Sequence, residues 1–120
     1  MKKILLVDDD PELTSELVDI IQGEGFHVDI AASGPEGERL LNSVRYDAAV
    51  IDFKMPGFDG IELLKKINGA MLPSKIIVMS GSLDIQKMID EKLMKSLVVH
   101  AMQKPFAVED LIENLKQMGG

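Results

Sequence analysis

Two adjacent carboxylates, Asp8 and Asp9, directly follow the apolar run Ile4, Leu5, Leu6 and Val7. A third, Asp52, follows Ala48, Ala49, Val50 and Ile51 in the same way. Ser80 closes an apolar run over 76–79, and Lys104 follows the run that begins at Val98 and Val99. Singly, each is an ordinary turn or loop-cap residue. Together they are three carboxylates, a hydroxyl and an ammonium, each at the end of an apolar run. Two ionised carboxylates at about 4 Å repel by roughly 4 kcal/mol at an effective dielectric of 20, so a gathered set needs compensation. A protonated carboxyl, the Lys104 ammonium or a divalent cation could supply it. All-oxygen donors without His or Cys select a hard ion such as Mg²⁺. The same set suits phosphoryl transfer. The Asp52 carboxylate can act as nucleophile, a cation and Lys104 can neutralise phosphoryl oxygens, and the Ser80 hydroxyl can donate to another.

The elements that must position these residues are legible in the periodicity. Lys3–Val7 reads as a strand buried on both faces, because its apolar residues run without alternation. Asp10 can cap a helix with Pro11 at its first position, an inner face of Leu13, Leu17, Ile20 and Ile21, and an end at Gly23. Phe26, Val28 and Ile30 alternate with His27 and Asp29, which predicts a less buried strand at an edge. Ser33 and Glu36 have capping-box spacing and open a helix to about Asn42. A second apolar strand, 48–51, stops at Asp52. The segment 53–60 carries Pro56, Gly57 and Gly60 and reads as an ordered loop. Residues 61–67 read as helix, 76–79 as strand, and 83–94 as helix with Ile85, Met88 and Ile89 inward. A last strand near Val98 and Val99 precedes Lys104-Pro105. Val108, Leu111, Ile112 and Leu115 define a final amphipathic helix. Five strands alternating with five helices predict an α/β domain over residues 1–120, a doubly wound (βα)5 unit with a parallel sheet covered by helices on both faces and few topologies open to it. In such sheets, sites form beyond the carboxyl ends of the strands.

Composition narrows the function class. A chain of 120 residues, 46% hydrophobic and 28% charged, carries enough apolar surface for one independently folding core. The net charge is -7 with only Arg39 and Arg45 as arginines, a poor match to a nucleic-acid backbone. The apolar runs fall short of the roughly 20 residues a bilayer span needs, and the N-terminal residues lack a signal-peptide layout. Zero cysteines exclude disulfides and agree with a reducing compartment. The expectation is a cytoplasmic domain that binds neither membrane nor nucleic acid.

Over nearly its whole length the sequence resembles the response-regulator receiver domains of two-component signalling. The motifs are Ile4-Leu5-Leu6-Val7-Asp8-Asp9-Asp10-Pro11, the run from Ala49 through Asp52-Phe53-Lys54-Met55-Pro56-Gly57 to Gly60, Val78-Met79-Ser80-Gly81, and Lys104-Pro105-Phe106. The resemblance implies a flavodoxin-like fold with the sheet in order 2-1-3-4-5, and Asp52 as the phosphoacceptor, taking its phosphoryl group from a histidine kinase or phosphotransfer protein. It implies Mg²⁺, with Mn²⁺ able to substitute, bound directly by Asp9, mainly through water by Asp8, and by Asp52 and the backbone carbonyl of Lys54. Ser80 becomes the switch hydroxyl, Lys104 the lysine that meets the phosphoryl group, and an output domain or target protein the downstream partner. The implied activity is a switch that assists its own phosphorylation and dephosphorylation, not a turnover enzyme. One departure stands out. The family usually carries Tyr or Phe three residues before the lysine, and here that position is Ala101.

Other residues read more plainly. His27 and His100 lie on expected strands with structural roles, and Asp10 is a helix cap. The eight methionines are mainly core filler, with Met88, Met94 and Met102 as an alternative pliable contact surface. The Lys54 side chain reads as a solvated loop lysine beside the phosphoryl position. An aspartate-nucleophile phosphatase of the haloacid dehalogenase type would want Thr where Glu12 stands. A flavodoxin-like flavin carrier would want a phosphate-cradling loop where three aspartates follow the first strand. A degenerate receiver used only for protein contacts would not need the intact five-residue set.

Overall fold

The computed structural model describes residues 2–52, 54–55, 58–59, 63, 66–67, 71–80, 99–103 and 106–117. Its elements are β1 (Lys3–Val7), α1 (Pro11–Gly23), β2 (His27–Ala31), α2 (Gly34–Ser43), β3 (Ala48–Asp52), β4 (Lys54–Met55), β5 (Phe58–Asp59), β6 (Lys75–Ser80), β7 (Val99–Gln103) and α3 (Val108–Lys116). Five strands form one parallel sheet in spatial order β2-β1-β3-β6-β7, which is 2-1-3-4-5 when the two-residue strands are set aside. The expected architecture is the observed one.

Alternate residues of the inner strands feed two cores. Leu5, Val7, Ala49, Ile51, Ile76 and Val78 face one side with Leu41 of α2 and Tyr46, joined by Leu63 and Ile67. Ile4, Leu6, Ala48, Val50, Ile77 and Met79 face the other with Leu17 and Ile21 of α1 and Leu111, Ile112 and Leu115 of α3. Burial on both faces is why these strands are apolar throughout.

The helix starts follow local chemistry. The Asp10 carboxylate accepts the N–H groups of Glu12 and Leu13, and Pro11 occupies the first turn. At α2, the Ser33 hydroxyl accepts the Glu36 N–H at 3.3 Å. At the far end of α1, Glu24 pairs with Lys116 of α3 at 2.8 Å.

Two expectations need correction. Ile20 is 41% exposed, and the buried positions of α1 are Thr14, Leu17 and Ile21. The stripe turns past Ile20, because spacings of 3 and 4 from Leu17 reach both Ile20 and Ile21 and only one can point at the sheet. The expected edge place of β2 is the observed one, at one end of the sheet among the described residues, and Ile30 on it is 39% exposed. The segment 53–60 is not simply a loop, since Lys54–Met55 and Phe58–Asp59 pair antiparallel. Of the expected helix over 61–67, only 63 and 66–67 are described. The expected helix over 83–94, with Ile85, Met88 and Ile89, lies outside the described residues.

Candidate functional site

Register brings the strand ends to one edge of the sheet. Val7 pairs with Ile51, so Asp8 and Asp52 stand level on adjacent strands. Asp52 pairs with Met79, and Ser80 pairs with Gln103. The expected site residues thus sit at consecutive strand ends: Asp8 and Asp9 after β1, Asp52 closing β3, Ser80 closing β6. Lys104 follows Gln103 in the chain and lies outside the described residues, as do the side chains of Ser80, Lys54 and Ala101.

The three carboxylates converge. One oxygen each from Asp8, Asp9 and Asp52 lies within 4.8 Å of the others. Asp8 is 1% exposed and Asp52 6%, whereas Asp9 is open to solvent. Ionised pairs at 4.8 Å repel by about 3–4 kcal/mol at an effective dielectric of 20, and burial of two of them raises the demand for a counter-charge. The donor set is all carboxylate oxygen with one open side, and it fits a hard divalent cation that keeps part of its water. The backbone places these groups firmly. The Asp8 N–H donates to the Ala31 carbonyl at 3.1 Å, and Asp8 Oδ1 accepts the Asp10 N–H at 3.0 Å.

Gly37 of α2 lies against the end of β1. A Cβ there would stand 3.3 Å from both γ-carbons of Val7, the residue that precedes Asp8. The missing side chain lets α2 pack closely against the end of β1.

His27 and Met102, also singled out in the sequence, belong to other parts of the fold. His27 faces Asp29 on the edge strand, Nε2 to Oδ1 at 3.2 Å. Met102 is 8% exposed and packs in the core, which makes it filler and not contact surface. Met88 and Met94 lie outside the described residues. Two buried polar contacts carried no local sequence signal. The Tyr46 hydroxyl donates to Asp29 Oδ2 at 2.7 Å, and the Lys75 ammonium donates to the Asn114 carbonyl at 2.6 Å. Burial raises the Tyr46 phenol well above its ordinary range, aided by its bond to Asp29 and that residue's charge, against a smaller pull from Arg39. Burial lowers the Lys75 ammonium.

The family model for the response regulator receiver domain matches residues 4–116. The chain belongs to that family. It is 34% identical over 97% of its length to a transcriptional regulatory protein CpxR homolog of Haemophilus influenzae, of which it spans 49%. It is 31% identical over 97% of its length to sporulation initiation phosphotransferase F of Bacillus subtilis, of which it spans 92%. Against the response regulator TrrA of Thermotoga maritima, solved in complex with Mg²⁺ and BeF, this receiver domain has a TM-score of 0.80 at 30% identity, covering 98% of this chain and 99% of that one. The chain spans about half the length of the Haemophilus regulator, while it is nearly coextensive with the other two.

Among the described residues no helix of this receiver is long and apolar enough to cross a membrane.

Proposed function

We propose that this receiver, as one unit over residues 1–120, accepts a phosphoryl group on Asp52 from the phosphohistidine of a sensor kinase or phosphotransfer protein. It does so with Mg²⁺ or Mn²⁺, in the cytoplasm, and passes the signal to an output domain or target protein. The observation that carries this reading is the convergence of the Asp8, Asp9 and Asp52 oxygens within 4.8 Å at one sheet edge. In the transfer, a carboxylate oxygen of Asp52 attacks phosphorus, the phosphorus–nitrogen bond to the donor imidazole breaks, and an aspartyl phosphate forms. Asp8, Asp9, Asp52 and the Lys54 carbonyl would hold the cation. When bound, it neutralises the carboxylates and the incoming phosphoryl oxygens.

Lys104 and Ser80 would take further phosphoryl oxygens, as ammonium and hydroxyl donor. The phosphoryl group adds about -1.5 to -2 charges beside the acidic pair, so the phosphorylated state is tolerated only when these groups turn toward it. With Ala101 where the family usually has an aromatic, the outlet would run through backbone movement at 81–84 and repacking of Met88 or Met102. The domain is a switch that stores a phosphoryl group, and it contributes to its own loading and hydrolysis without turning over a separate substrate.

The test is intact mass after incubation with acetyl phosphate. One phosphoryl group should be gained with Mg²⁺ and none with EDTA, and Asp52→Asn should abolish the gain while the variant stays folded by circular dichroism. Uptake at the parental rate by Asp52→Asn would refute the assignment.

A further inference from the structure

The buried Asp8 carboxylate is held by a neighbour whose N–H, carbonyl and one carboxylate oxygen are all hydrogen-bonded. Asp8 Oδ1 accepts the Asp10 N–H at 3.0 Å. The Asp10 side chain caps α1, with Oδ1 accepting the N–H groups of Glu12 at 3.1 Å and Leu13 at 3.2 Å. The Asp10 carbonyl accepts both the Thr14 N–H at 3.0 Å and the Thr14 hydroxyl at 3.0 Å. That hydroxyl also reaches the Pro11 carbonyl at 3.2 Å.

Thr14 is only 5% exposed and lies on the buried face of the helix. A threonine inside a helix often returns its hydroxyl to the carbonyl four residues back. Here that carbonyl belongs to the residue whose N–H grips the Asp8 carboxylate.

We infer that Asp10 and Thr14 are positioning residues for the cation site. Together they hold the Asp10 side chain and carbonyl, and so fix the backbone at the residue whose N–H holds the Asp8 carboxylate with one oxygen near those of Asp9 and Asp52. The inference rests on the cation-binding reading proposed above. Its physical basis is general: carboxylates that serve a metal are themselves hydrogen-bonded, and those outer partners set their orientation. Neither residue touches the cation in this account. Asp10 spends its carboxylate on α1, and Thr14 spends its hydroxyl on two backbone carbonyls.

The test is Mg²⁺ affinity of the full chain by titration calorimetry, without phosphodonor, at physiological ionic strength, beside thermal unfolding in EDTA. Asp10→Ala should weaken Mg²⁺ binding about tenfold, the lower end of what loss of an outer-shell partner costs. Thr14→Val, nearly isosteric, should weaken it about threefold, since the cap remains in place. Asp10→Asn keeps the capping oxygen without the charge and should recover most of the affinity lost in Asp10→Ala. Ser33→Ala, which removes the cap of α2, should lower the unfolding temperature yet leave Mg²⁺ affinity unchanged.

Parental affinity in both Asp10→Ala and Thr14→Val would overturn the positioning role while leaving the cation site standing. Equal losses in Asp10→Asn and Asp10→Ala would overturn it by showing that the Asp10 charge, not the cap, matters. A parent protein that takes up no Mg²⁺ would overturn the cation reading and this inference with it.

Discussion

Tyr46 is a phenol 3% exposed whose hydroxyl ends on the partly exposed Asp29. Because its folded-state pKa lies above the ordinary 10.0, the folded protein keeps this proton while the unfolded chain begins to lose it. Stability from this group is therefore complete below about pH 10 and falls as pH rises beyond it. Lys75 contributes with the opposite sign. Its lowered pKa means that the unfolded chain holds the extra proton, so stability from this group rises with pH up to the ordinary 10.5. Tyr46→Phe should cost about 1.5 kcal/mol at neutral pH, low for a bond to a charged acceptor because Asp29 is partly solvated. The same variant should lose part of the alkaline fall above pH 10, read by urea unfolding at pH 7, 9 and 10.5. An identical pH slope in parent and Tyr46→Phe would contradict the account. Neither contact was legible beforehand. Asp29 and Tyr46 are 17 residues apart, Lys75 and Asn114 39 apart, and no local pattern links residues at such distances.

The helices separate what local chemistry dictates from what packing dictates. The starts of α1 and α2 were legible, because Asp10-Pro11 and Ser33 with Glu36 meet the orphan N–H groups of a first turn without outside help. The exposure of Ile20 was not, because two apolar residues at adjacent angles compete for one sheet face. The pairing of 54–55 with 58–59 was hidden for a similar reason, since Pro and Gly mark a turn but do not say whether its flanks pair. The glycines of α1 and α2 show the same division. At Gly37 an added Cβ meets Val7, whereas at Gly23 nothing lies within 4 Å. Gly37→Val should destabilise by roughly 2–3 kcal/mol through crowding at the β1 end. Gly23→Ala should be neutral or stabilising by about 0.5–1 kcal/mol. Equilibrium urea unfolding measures both, and a Gly37→Val protein as stable as its parent would show that α2 does not pack on β1 as closely as described.

At the scale of the whole molecule, the doubly wound sheet converts sequence-distant residues into neighbours. Asp8 and Asp52 are far apart in the chain yet level across the β1–β3 register. This part of the site was readable because each carboxylate directly follows an apolar strand, and a parallel sheet sends all such ends to one edge. The orientation of Asp8 was not readable, since it depends on a backbone N–H whose direction only the folded turn defines. The chain spans 49% of the Haemophilus regulator and 92% of the Bacillus phosphotransferase, so the shared unit is the receiver, and its central chemical claim concerns one atom group. The direct measurement is chemical trapping. The protein is loaded with acetyl phosphate and Mg²⁺, reduced with borohydride, which converts an aspartyl phosphate to homoserine, and mapped by peptide mass spectrometry. The account predicts homoserine at position 52, absent when EDTA replaces Mg²⁺. Homoserine at position 8 or 9 with Asp52 intact would contradict it.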